Sequence, residues 1–212
     1  MNIIRDYDTI AYDFDKTRTK IWNRVKIFIA DESNPFSHQR LLDVGIGNGK
    51  NSLFAKSNLY ECIGIDISEN LITICQNKGL DVYKKNVLSL SNTDFGLFDK
   101  IICIAVIHHL ENIEDQKKAI INMIKCLNNK GKILISVWSK EYDDTTKSRL
   151  FQQGPNYVEW NSNIHNKVDR FYYIHDYQSF HKMIEDVQVV YPYISFEISW
   201  EKQNWFVEIR KQ

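Results

Sequence analysis

Short runs of β-branched and apolar residues alternate with segments of helical periodicity from residue 40 onward. The predicted strands are residues 41–44, 62–65, 82–86, 101–107 and 133–137. One predicted helix follows Ser68, a favourable N-cap, and stops at Gly79. A second carries apolar residues at helical spacing and ends at Leu127. Strands joined by crossover helices predict a parallel sheet that is covered on both faces.

Two regions depart from this alternation. The segment up to Ala30 carries a predicted helix that acts as a cover, with apolar residues inward and basic residues outward. The inward residues are Ile21, Val25 and Phe28, and the outward residues are Lys20, Arg24 and Lys26. Residues 138–168 are polar and lack a strong period, which predicts an excursion from the sheet. Residues 194–200 and 205–209 alternate around a short turn and predict a terminal antiparallel hairpin.

The composition limits the class of protein. A chain of 212 residues with 43% hydrophobic residues has room for one sizeable core, so we expect a single domain. The longest apolar run, residues 101–107, is far shorter than the roughly 18 residues of a membrane span. The first residues do not resemble a signal peptide. We therefore expect a cytoplasmic protein that does not associate with membranes.

Charge and cysteine usage narrow the choice further. Lys plus Arg equals Asp plus Glu at 27 each, so a polyanion must bind to a local basic patch. The candidate patches are residues 16–26 and, at the other terminus, Lys202, Arg210 and Lys211; the alternative for both is a solvated face. The four cysteines lie far apart in apolar segments, so we expect core residues and neither a disulfide framework nor a metal site.

A glycine-rich turn follows the first predicted strand. Gly45, Gly47 and Gly49 have the spacing G-x-G-x-G, which lets the backbone turn sharply and approach a ligand closely. This differs from the G-x-G-x-x-G of nicotinamide and flavin sites, so a ligand without a pyrophosphate is favoured. The alternative is an ordinary glycine-rich turn at the end of a strand.

Two polar positions at later strand ends extend this candidate site. Asp66 ends the second strand and can accept hydrogen bonds from both hydroxyls of a ribose. Its alternative role is to stabilise the N-terminus of the next helix, where Ser68 already provides a cap. Asn86 ends the third strand; its side-chain carbonyl could accept from an adenine amino group, and the backbone of Val87 could meet a ring nitrogen.

Together these positions resemble the S-adenosylmethionine pocket of class I methyltransferases. The resemblance implies a Rossmann-like seven-stranded α/β sheet, mostly parallel with a C-terminal antiparallel hairpin and with helices on both faces. It implies that Asp43 reaches the methionine amino group, directly or through water, and that residues 98–110 end where the methyl acceptor binds. The implied cofactor-binding residues are Asp43, Gly45, Gly47, Gly49, Asp66, Ile67, Asn86, Val87 and Ala105.

The chain from Tyr7 to Lys211 also resembles a narrower family, the eukaryotic-type tRNA wobble-uridine carboxyl methyltransferases. The specific motifs are YDTIAYDFDKTRTKIW, IAVIHHL, RFYYIHDYQSF and NWFVEIRK. The resemblance implies methyl transfer to the carboxylate of 5-carboxymethyluridine in the tRNA anticodon stem-loop, with S-adenosylhomocysteine as the second product. It also implies a small zinc-binding activator subunit along the third strand, where Lys84 and Lys85 would blunt an exposed edge.

The resemblance also divides the single domain and shows where the chain departs from the family pattern. The implied segments are an N-terminal helical cover (1–39), a cofactor-binding core (40–137), a substrate-side excursion (138–170) and a C-terminal helix and hairpin (171–212). The departures are Ile46 for a cysteine, Asn86 for a third-strand acid, Glu159 for a proline and Tyr173 for a histidine. The last two lie on the implied substrate side, so they affect the expected nucleotide more than the cofactor.

The implied chemistry fits the residue types. A carboxylate is ionised at neutral pH, so its methylation needs positioning and no general base. An anion in a dry pocket requires fixed cations, for which Arg18 and Arg170 are the candidates. Tyr172 could stack on a flipped-out base, and His108 and His109 could polarise the acceptor or contact its ring. The alternatives are a solvated arginine, a core aromatic residue and structural histidines.

Two other functions remain open from the sequence. One is a methyltransferase that acts on a small molecule or on a protein carboxylate; it would use the same cofactor residues but would show no salt-dependent RNA binding. The other is a catalytically silent RNA-binding scaffold that has kept the fold, for which Asn86 is the main support.

Overall fold

The computed structural model describes residues 3–30, 39–144, 150–160 and 167–212. The helices are α1 (Ile3–Thr17), α2 (Asn23–Ala30), α3 (Lys50–Ser57), α4 (Glu69–Asn77), α5 (Asn92–Phe95), α6 (Ile113–Lys125) and α7 (Tyr177–Val190), with short 3₁₀ helices at Val87–Ser89 and Ile107–His109. The strands are β1 (Arg40–Val44), β2 (Glu61–Asp66), β3 (Asp81–Lys84), β4 (Phe98–Ile104), β5 (Leu127–Trp138), β6 (Gly154–Trp160), β7 (Val168–Ile174), β8 (Ile194–Glu201) and β9 (Asn204–Lys211).

A seven-stranded sheet with the order β3-β2-β1-β4-β5-β9-β8 forms the centre of the molecule. Strands β1 to β5 are parallel, β9 is antiparallel to β5, and β8 is antiparallel to β9. The predicted fold class is therefore confirmed, including the C-terminal hairpin. The chain order reverses between β1 and β4, and open α/β sheets bind ligands beside the strand ends at such a point.

Apolar side chains on both faces of the sheet explain why its strands are nearly continuous hydrophobic runs. On one face α2 and α3 pack against residues such as Leu41 and Ile102. On the other face α6 and α7 pack against residues such as Ile101 and Ile133. The four cysteines are buried, as predicted for core residues.

Several predicted element ends are wrong, including the start of the fifth strand, which lies at Leu127 and not at residue 133. The third strand stops at Lys84, because Asn86 caps a 3₁₀ helix. The fourth strand runs from Phe98 to Ile104 and not over 101–107, because the backbone turns at Ala105. Helix α6 ends at Lys125, whereas Leu127 already belongs to β5 and pairs with Phe98.

The N-terminal cover consists of two helices. Val25 and Phe28 of α2 are buried, as predicted, while Ile21 precedes α2 and is half-buried. The charged and aromatic stretch before them forms most of α1, which the sequence analysis did not assign. Helix α1 packs against α4 and β7, so it lies over the ends of the central strands.

The predicted excursion after Trp138 contains regular structure that the sequence analysis missed. Strands β6 and β7 pair antiparallel as a separate two-stranded sheet, from Gly154 opposite Ile174 to Trp160 opposite Val168. Exposed and half-buried positions alternate along most of β6, so its sequence lacks the apolar run of the central strands. Strand β7 crosses position 170; the division of the domain into four segments stays a prediction.

The part of the chain that the structure describes contains neither a candidate membrane span nor a candidate metal cluster. No helix there combines the length and the apolar character that crossing a bilayer requires. The same residues contain no cluster of three or more His, Cys, Asp or Glu side chains that could hold a metal ion.

Candidate active site

A cavity of about 600 Å³ opens at the carboxyl ends of the central strands, under α1 and β7. Most of the predicted site residues line this one cavity. They are Arg18, Gly45, Gly47, Asp66, Ile67, Asn86, Val87, Ala105, His108, His109, Arg170 and Tyr172. Asp43 and Gly49 are not among its lining residues.

The glycine turn forms one wall of the cavity. Gly45 has a φ of +66° and donates to Ile65 O at 2.8 Å, which joins the turn to β2. A Cβ atom on Gly45 would lie 2.4 Å from a methyl group of Val106, so only glycine fits there. A Cβ atom on Gly49 would instead lie 2.3 Å from Leu80, and Gly49 is the N-cap of α3. Gly49 therefore serves the packing behind the turn.

Asp43 lies behind the cavity wall. Its Oδ2 accepts a hydrogen bond from Ser52 Oγ at 2.8 Å, and the side chain is 1% exposed. Burial raises the pKa of Asp43 to about 7. Asn51, which precedes Ser52 on α3, does line the cavity, and its buried Oδ1 has no hydrogen-bond partner in the described chain. Asn51 was not predicted as a site residue, because no sequence pattern marks an asparagine on a short helix.

Asp66 faces the cavity with a carboxylate that is already held by backbone groups. Oδ2 accepts from Gly47 N at 3.0 Å, and Oδ1 accepts from Ile67 N at 2.8 Å and from Ser68 N at 3.0 Å. Burial raises the pKa of Asp66, and these backbone hydrogen bonds act in the opposite direction. A carboxylate offers about four acceptor positions, so about one remains for a ligand hydroxyl unless a backbone bond is shared.

Asn86 and Val87, which follow β3, also line the cavity. The side-chain oxygen of Asn86 accepts from Leu88 N at 2.9 Å and so caps the 3₁₀ helix. This bond occupies one of the two acceptor positions of the amide oxygen, so one position remains for an adenine amino group.

The turn after β4 forms the other end of the cavity. Ala105 has a φ of +59° and donates to Ser136 O at 3.1 Å and to Ser136 Oγ at 3.0 Å. A left-handed alanine costs about 1 to 2 kcal/mol, and such strain clusters at functional sites. This turn directs the two adjacent histidines, His108 and His109, toward the cavity.

Both histidines are held in one tautomer. The amide of Trp138 donates to His108 Nδ1 at 2.9 Å, so the proton of the neutral ring lies on Nε2, a buried atom with no hydrogen-bond partner among the described residues. Burial lowers the pKa of His108 well below its ordinary value, as do its neighbours His109 and His175, while the Ala105 carbonyl opposes this shift. His109 Nδ1 lies 2.7 Å from a carbonyl of β7, and burial lowers its pKa to about 4.

Arg170 is a buried cation beside these histidines. It is 6% exposed, its Nε has no hydrogen-bond partner, and no carboxylate in the described segments forms an ion pair with it. Its guanidinium carbon lies 4.7 Å from the ring of Trp160 and 5.2 Å from the ring of Tyr172. Arg18, on the segment after α1, lies 4.6 Å from the same Trp160 ring. The two predicted arginines therefore meet at one indole.

An aromatic stack completes this end. The rings of Trp138 and Tyr172 are parallel within 4°, with their centroids 4.0 Å apart. The ring of Phe151 also stacks on Trp138, with a centroid distance of 5.4 Å. Phe151 was not predicted as a site residue, nor was Tyr7, whose hydroxyl lies 2.8 Å from His109 Nε2. Tyr7 begins the recognisable N-terminal motif, which was the available signal.

Only part of the second predicted basic patch lies near the first one. Lys202 lines the cavity with Arg18, because the β8–β9 turn lies beside the end of β5, where Asn204 pairs with Trp138. Arg210 and Lys211 lie at the opposite end of the sheet, where the Lys211 ammonium donates to Leu127 O. The second patch is therefore divided, and only Lys202 remains with the cavity.

Comparison with known proteins agrees with this geometry. A family model described as a methyltransferase domain matches residues 14–199. The chain belongs to the methyltransferase domain family. A methyltransferase from Streptomyces caelestis, CcbJ, aligns over 100% of this chain and 99% of its own with a TM-score of 0.73 at 10% identity. An S-adenosylmethionine-dependent methyltransferase from Clostridium acetobutylicum aligns over 97% and 98% with a TM-score of 0.68 at 14% identity. At such identities these likenesses show the fold.

Curated relatives of this methyltransferase domain confirm the narrower resemblance. The tRNA (carboxymethyluridine(34)-5-O)-methyltransferase of Arabidopsis thaliana is 41% identical over 67% of this chain and 34% of its own length. The protein of the same name from Schizosaccharomyces pombe is 34% identical over 73% of this chain and 65% of its own length. The chain spans only about a third of the length of the Arabidopsis relative.

Proposed function

We propose that this methyltransferase domain transfers a methyl group from S-adenosylmethionine to the carboxylate of 5-carboxymethyluridine at the wobble position of tRNA. The products are the methyl ester and S-adenosylhomocysteine. The observation that carries the proposal is the buried Arg170, which has no carboxylate partner in the described chain and faces the cavity opposite the glycine turn. A buried cation without an anion is costly, so a site that retains one is suited to an anionic ligand.

The other end of the cavity fits the cofactor. The close approach of the Gly45 backbone leaves space that a side chain would fill, Asp66 offers an acceptor for a ribose hydroxyl, and the orphan Asn51 Oδ1 offers one for an ammonium group. When bound, S-adenosylmethionine supplies an electrophilic methyl group on a sulfonium. Asp43 supports this site from behind by orienting Ser52.

The residues at the acceptor end would hold and orient a carboxylate. Arg170 and the Nε2 proton of His108 are donors, and the stack of Tyr172 and Trp138 offers a flat surface against which a uracil could pack. A carboxylate oxygen forms the new bond to the methyl carbon while the sulfur–methyl bond breaks and its electron pair returns to sulfur. No proton is transferred, which fits histidines whose pKa values are lowered.

Binding to tRNA is proposed to be local and electrostatic. Arg18 and Lys202 line the cavity from opposite parts of the chain, and Lys16, Lys20 and Lys26 are exposed nearby in sequence. Several phosphates could be contacted there without a global basic field. We expect this activity in the cytoplasm.

The activator subunit stays a prediction. Strand β3 is the edge of the sheet, and its Tyr83 is exposed. The charges of Lys84 and Lys85 are paired with Glu69 and Asp94, so they would not prevent another chain from binding along this edge. Poor solubility of the chain alone, cured by co-expression with a small zinc-binding subunit, would support the prediction.

The test of the proposed function is incubation with S-adenosylmethionine and bulk tRNA that lacks the wobble ester, followed by nucleoside mass spectrometry. We expect a new methyl ester on uridine, and we expect Arg170→Ala to form it at least about a hundredfold more slowly. Methylation of an amine or a ribose oxygen would contradict the proposal. Saturable S-adenosylmethionine binding without any RNA product would favour a small-molecule or protein carboxylate as acceptor, and no saturable binding would favour a silent scaffold.

A further inference from the structure

Helix α1 contacts both ends of the cavity through two adjacent residues, Tyr7 and Asp8. At the cofactor end, Asp8 Oδ1 accepts hydrogen bonds from Ser68 Oγ at 2.5 Å and from Asn70 N at 3.2 Å. The Ser68 amide in turn donates to Asp66 Oδ1 at 3.0 Å. A single residue therefore lies between the carboxylate of α1 and the carboxylate that is proposed to hold the ribose.

At the acceptor end, the Tyr7 hydroxyl donates to His109 Nε2 at 2.8 Å. The direction follows from the other side of the ring. His109 Nδ1 lies 2.7 Å from Phe171 O, and because a carbonyl only accepts, Nδ1 carries the proton. Burial lowers the pKa of His109 to about 4, so the neutral ring leaves Nε2 as an acceptor. Phe171 directly follows Arg170 on β7, so α1 is tied to the strand that carries the buried cation.

The oxygen of Tyr7 also meets the two substrate-side residues of β7. Burial raises the pKa of the Tyr7 hydroxyl, whereas the Arg170 charge and hydrogen bonding by Tyr172 and Arg170 act in the opposite direction, which indicates that both side chains lie beside this hydroxyl. Tyr12 lies on the same helix but is 59% exposed, so an aromatic residue on α1 does not by itself enter this network.

We propose that Tyr7 is a positioning residue for methyl transfer. Helix α1 is held over the cofactor end by Asp8, and in this position the Tyr7 hydroxyl orients His109 and Arg170 toward the anionic acceptor. Cofactor and acceptor then bind with positive coupling, because each stabilises the same position of α1. This inference rests on the proposed function, since it takes Arg170 as the group that holds the acceptor.

The first test measures equilibrium binding of S-adenosylhomocysteine and of an anticodon stem-loop that contains carboxymethyluridine, each alone and both together. In the wild type we expect saturating S-adenosylhomocysteine to tighten RNA binding about tenfold. Tyr7→Phe is expected to reduce this coupling to less than about twofold while S-adenosylhomocysteine alone binds as before. Tyr12→Phe is the matched control on the same helix and is expected to keep the full coupling.

The second test is a double-mutant cycle on the single-turnover rate. His109→Asn retains a donor for Phe171 O but removes the acceptor that Tyr7 uses. We expect Tyr7→Phe and His109→Asn each to slow the reaction about tenfold. The double variant is expected to be no slower than either single variant, because both changes break the same hydrogen bond. A double variant slowed about a hundredfold, the product of two independent effects, would overturn the role of Tyr7.

The remaining outcomes separate this inference from the proposed function. Wild-type ester formation with a normal Tyr7→Phe rate overturns the positioning role and leaves the proposed function standing. Weaker S-adenosylhomocysteine binding by Tyr7→Phe in the absence of RNA overturns it as well, because Tyr7 would then act at the cofactor end. If the wild type forms no ester on the stem-loop, the proposed function fails and the positioning role fails with it.

Discussion

The two ends of the cavity differ in the polarity of the buried groups that they leave without partners. At the cofactor end the Asp66 carboxylate is held by three backbone amides, and the unpaired atom is an acceptor, Asn51 Oδ1. At the acceptor end three unpaired atoms belong to donors. They are Arg170 Nε, His108 Nε2 and the nearby Trp160 Nε1. Buried polar atoms in native proteins are nearly all hydrogen-bonded, so each orphan atom indicates what its ligand must provide.

This contrast orders the two ligands along the cavity. A ligand that donates, such as an ammonium group or a ribose, suits the glycine-turn end, and a ligand that only accepts, such as a carboxylate, suits the Arg170 end. The experiments below are expected to affect one end and spare the other.

The largest effect is expected for Arg170→Ala. Removing this cation leaves a buried carboxylate without its partner, and the rate of ester formation should fall about 10² to 10³-fold. S-adenosylhomocysteine affinity should not change, because Arg170 lies at the acceptor end. Single-turnover kinetics and calorimetry measure the two quantities. Arg210→Ala, at the opposite end of the sheet, is the control; weakened cofactor binding in Arg170→Ala with an intact rate on RNA would reverse the assignment.

A smaller effect, on cofactor affinity at the other end of the cavity, is expected for Asp66→Asn. The amide would face three backbone donors with one acceptor fewer, so the glycine turn loosens and S-adenosylhomocysteine affinity should fall about thirtyfold. The exposed carboxylate of Asp81 on β3 provides the control variant, Asp81→Asn. Calorimetric titration checks the affinity, and an unchanged value for Asp66→Asn would remove this residue from the cofactor site.

Acidification is expected to destabilise the structure behind the acceptor end. His175 directly follows β7 and is fully buried; its Nε2 lies 2.8 Å from Gln116 Oε1, and burial lowers its pKa to about 4. A histidine with a lowered pKa stabilises the fold above pH 6.5, and this contribution is lost as the pH falls toward 4. Between pH 7 and pH 5 the wild type should lose about 2 kcal/mol more of its free energy of unfolding than His175→Gln. Urea unfolding at both pH values tests this; parallel losses would show that His175 does not titrate in this way.

The smallest effect is expected at the mouth of the cavity. Lys202→Gln removes one cation that lines the cavity, which should weaken RNA binding severalfold and lower the salt dependence by roughly one counterion. Lys211→Gln removes a cation of the same terminal stretch at the far end of the sheet and should leave both quantities unchanged. Binding titrations over a range of salt concentrations measure the RNA affinity and its salt dependence. Equal losses in both variants would show that Lys202 and Lys211 belong to one RNA-binding patch.

The cofactor end could largely be predicted from the sequence because its signals are local. Each predicted strand is a short apolar run, and Gly45 and Asp66 directly follow or end such runs, so parallel pairing brings them together without further information. Asp43 shows the limit of this argument. Its position in the sequence is that of a ligand contact, but the alternation of strand faces directs it to Ser52 behind the wall.

The acceptor end depended on contacts that no local pattern encodes. Tyr7 meets His109 across 102 residues, and Arg170 meets Arg18 through the ring of Trp160. Strand β6 alternates between exposed and half-buried positions, whereas β7 buries three consecutive residues, Arg170 to Tyr172, so neither strand shows the regular apolar pattern that would have predicted their pairing. The family resemblance indicated these arginines and histidines as candidates, but only the fold shows which of their atoms remain unpaired.

The most direct test compares two anticodon stem-loops that differ only at the wobble side chain, one with a carboxymethyl group and one with the corresponding neutral amide. Their affinities are measured at equilibrium in the presence of S-adenosylhomocysteine. Because Arg170 Nε and His108 Nε2 are unpaired donors at the acceptor end, we predict that the carboxylate binds at least about tenfold more tightly. We also predict that Arg170→Ala abolishes this preference. Equal affinity of the wild type for the two stem-loops would contradict it.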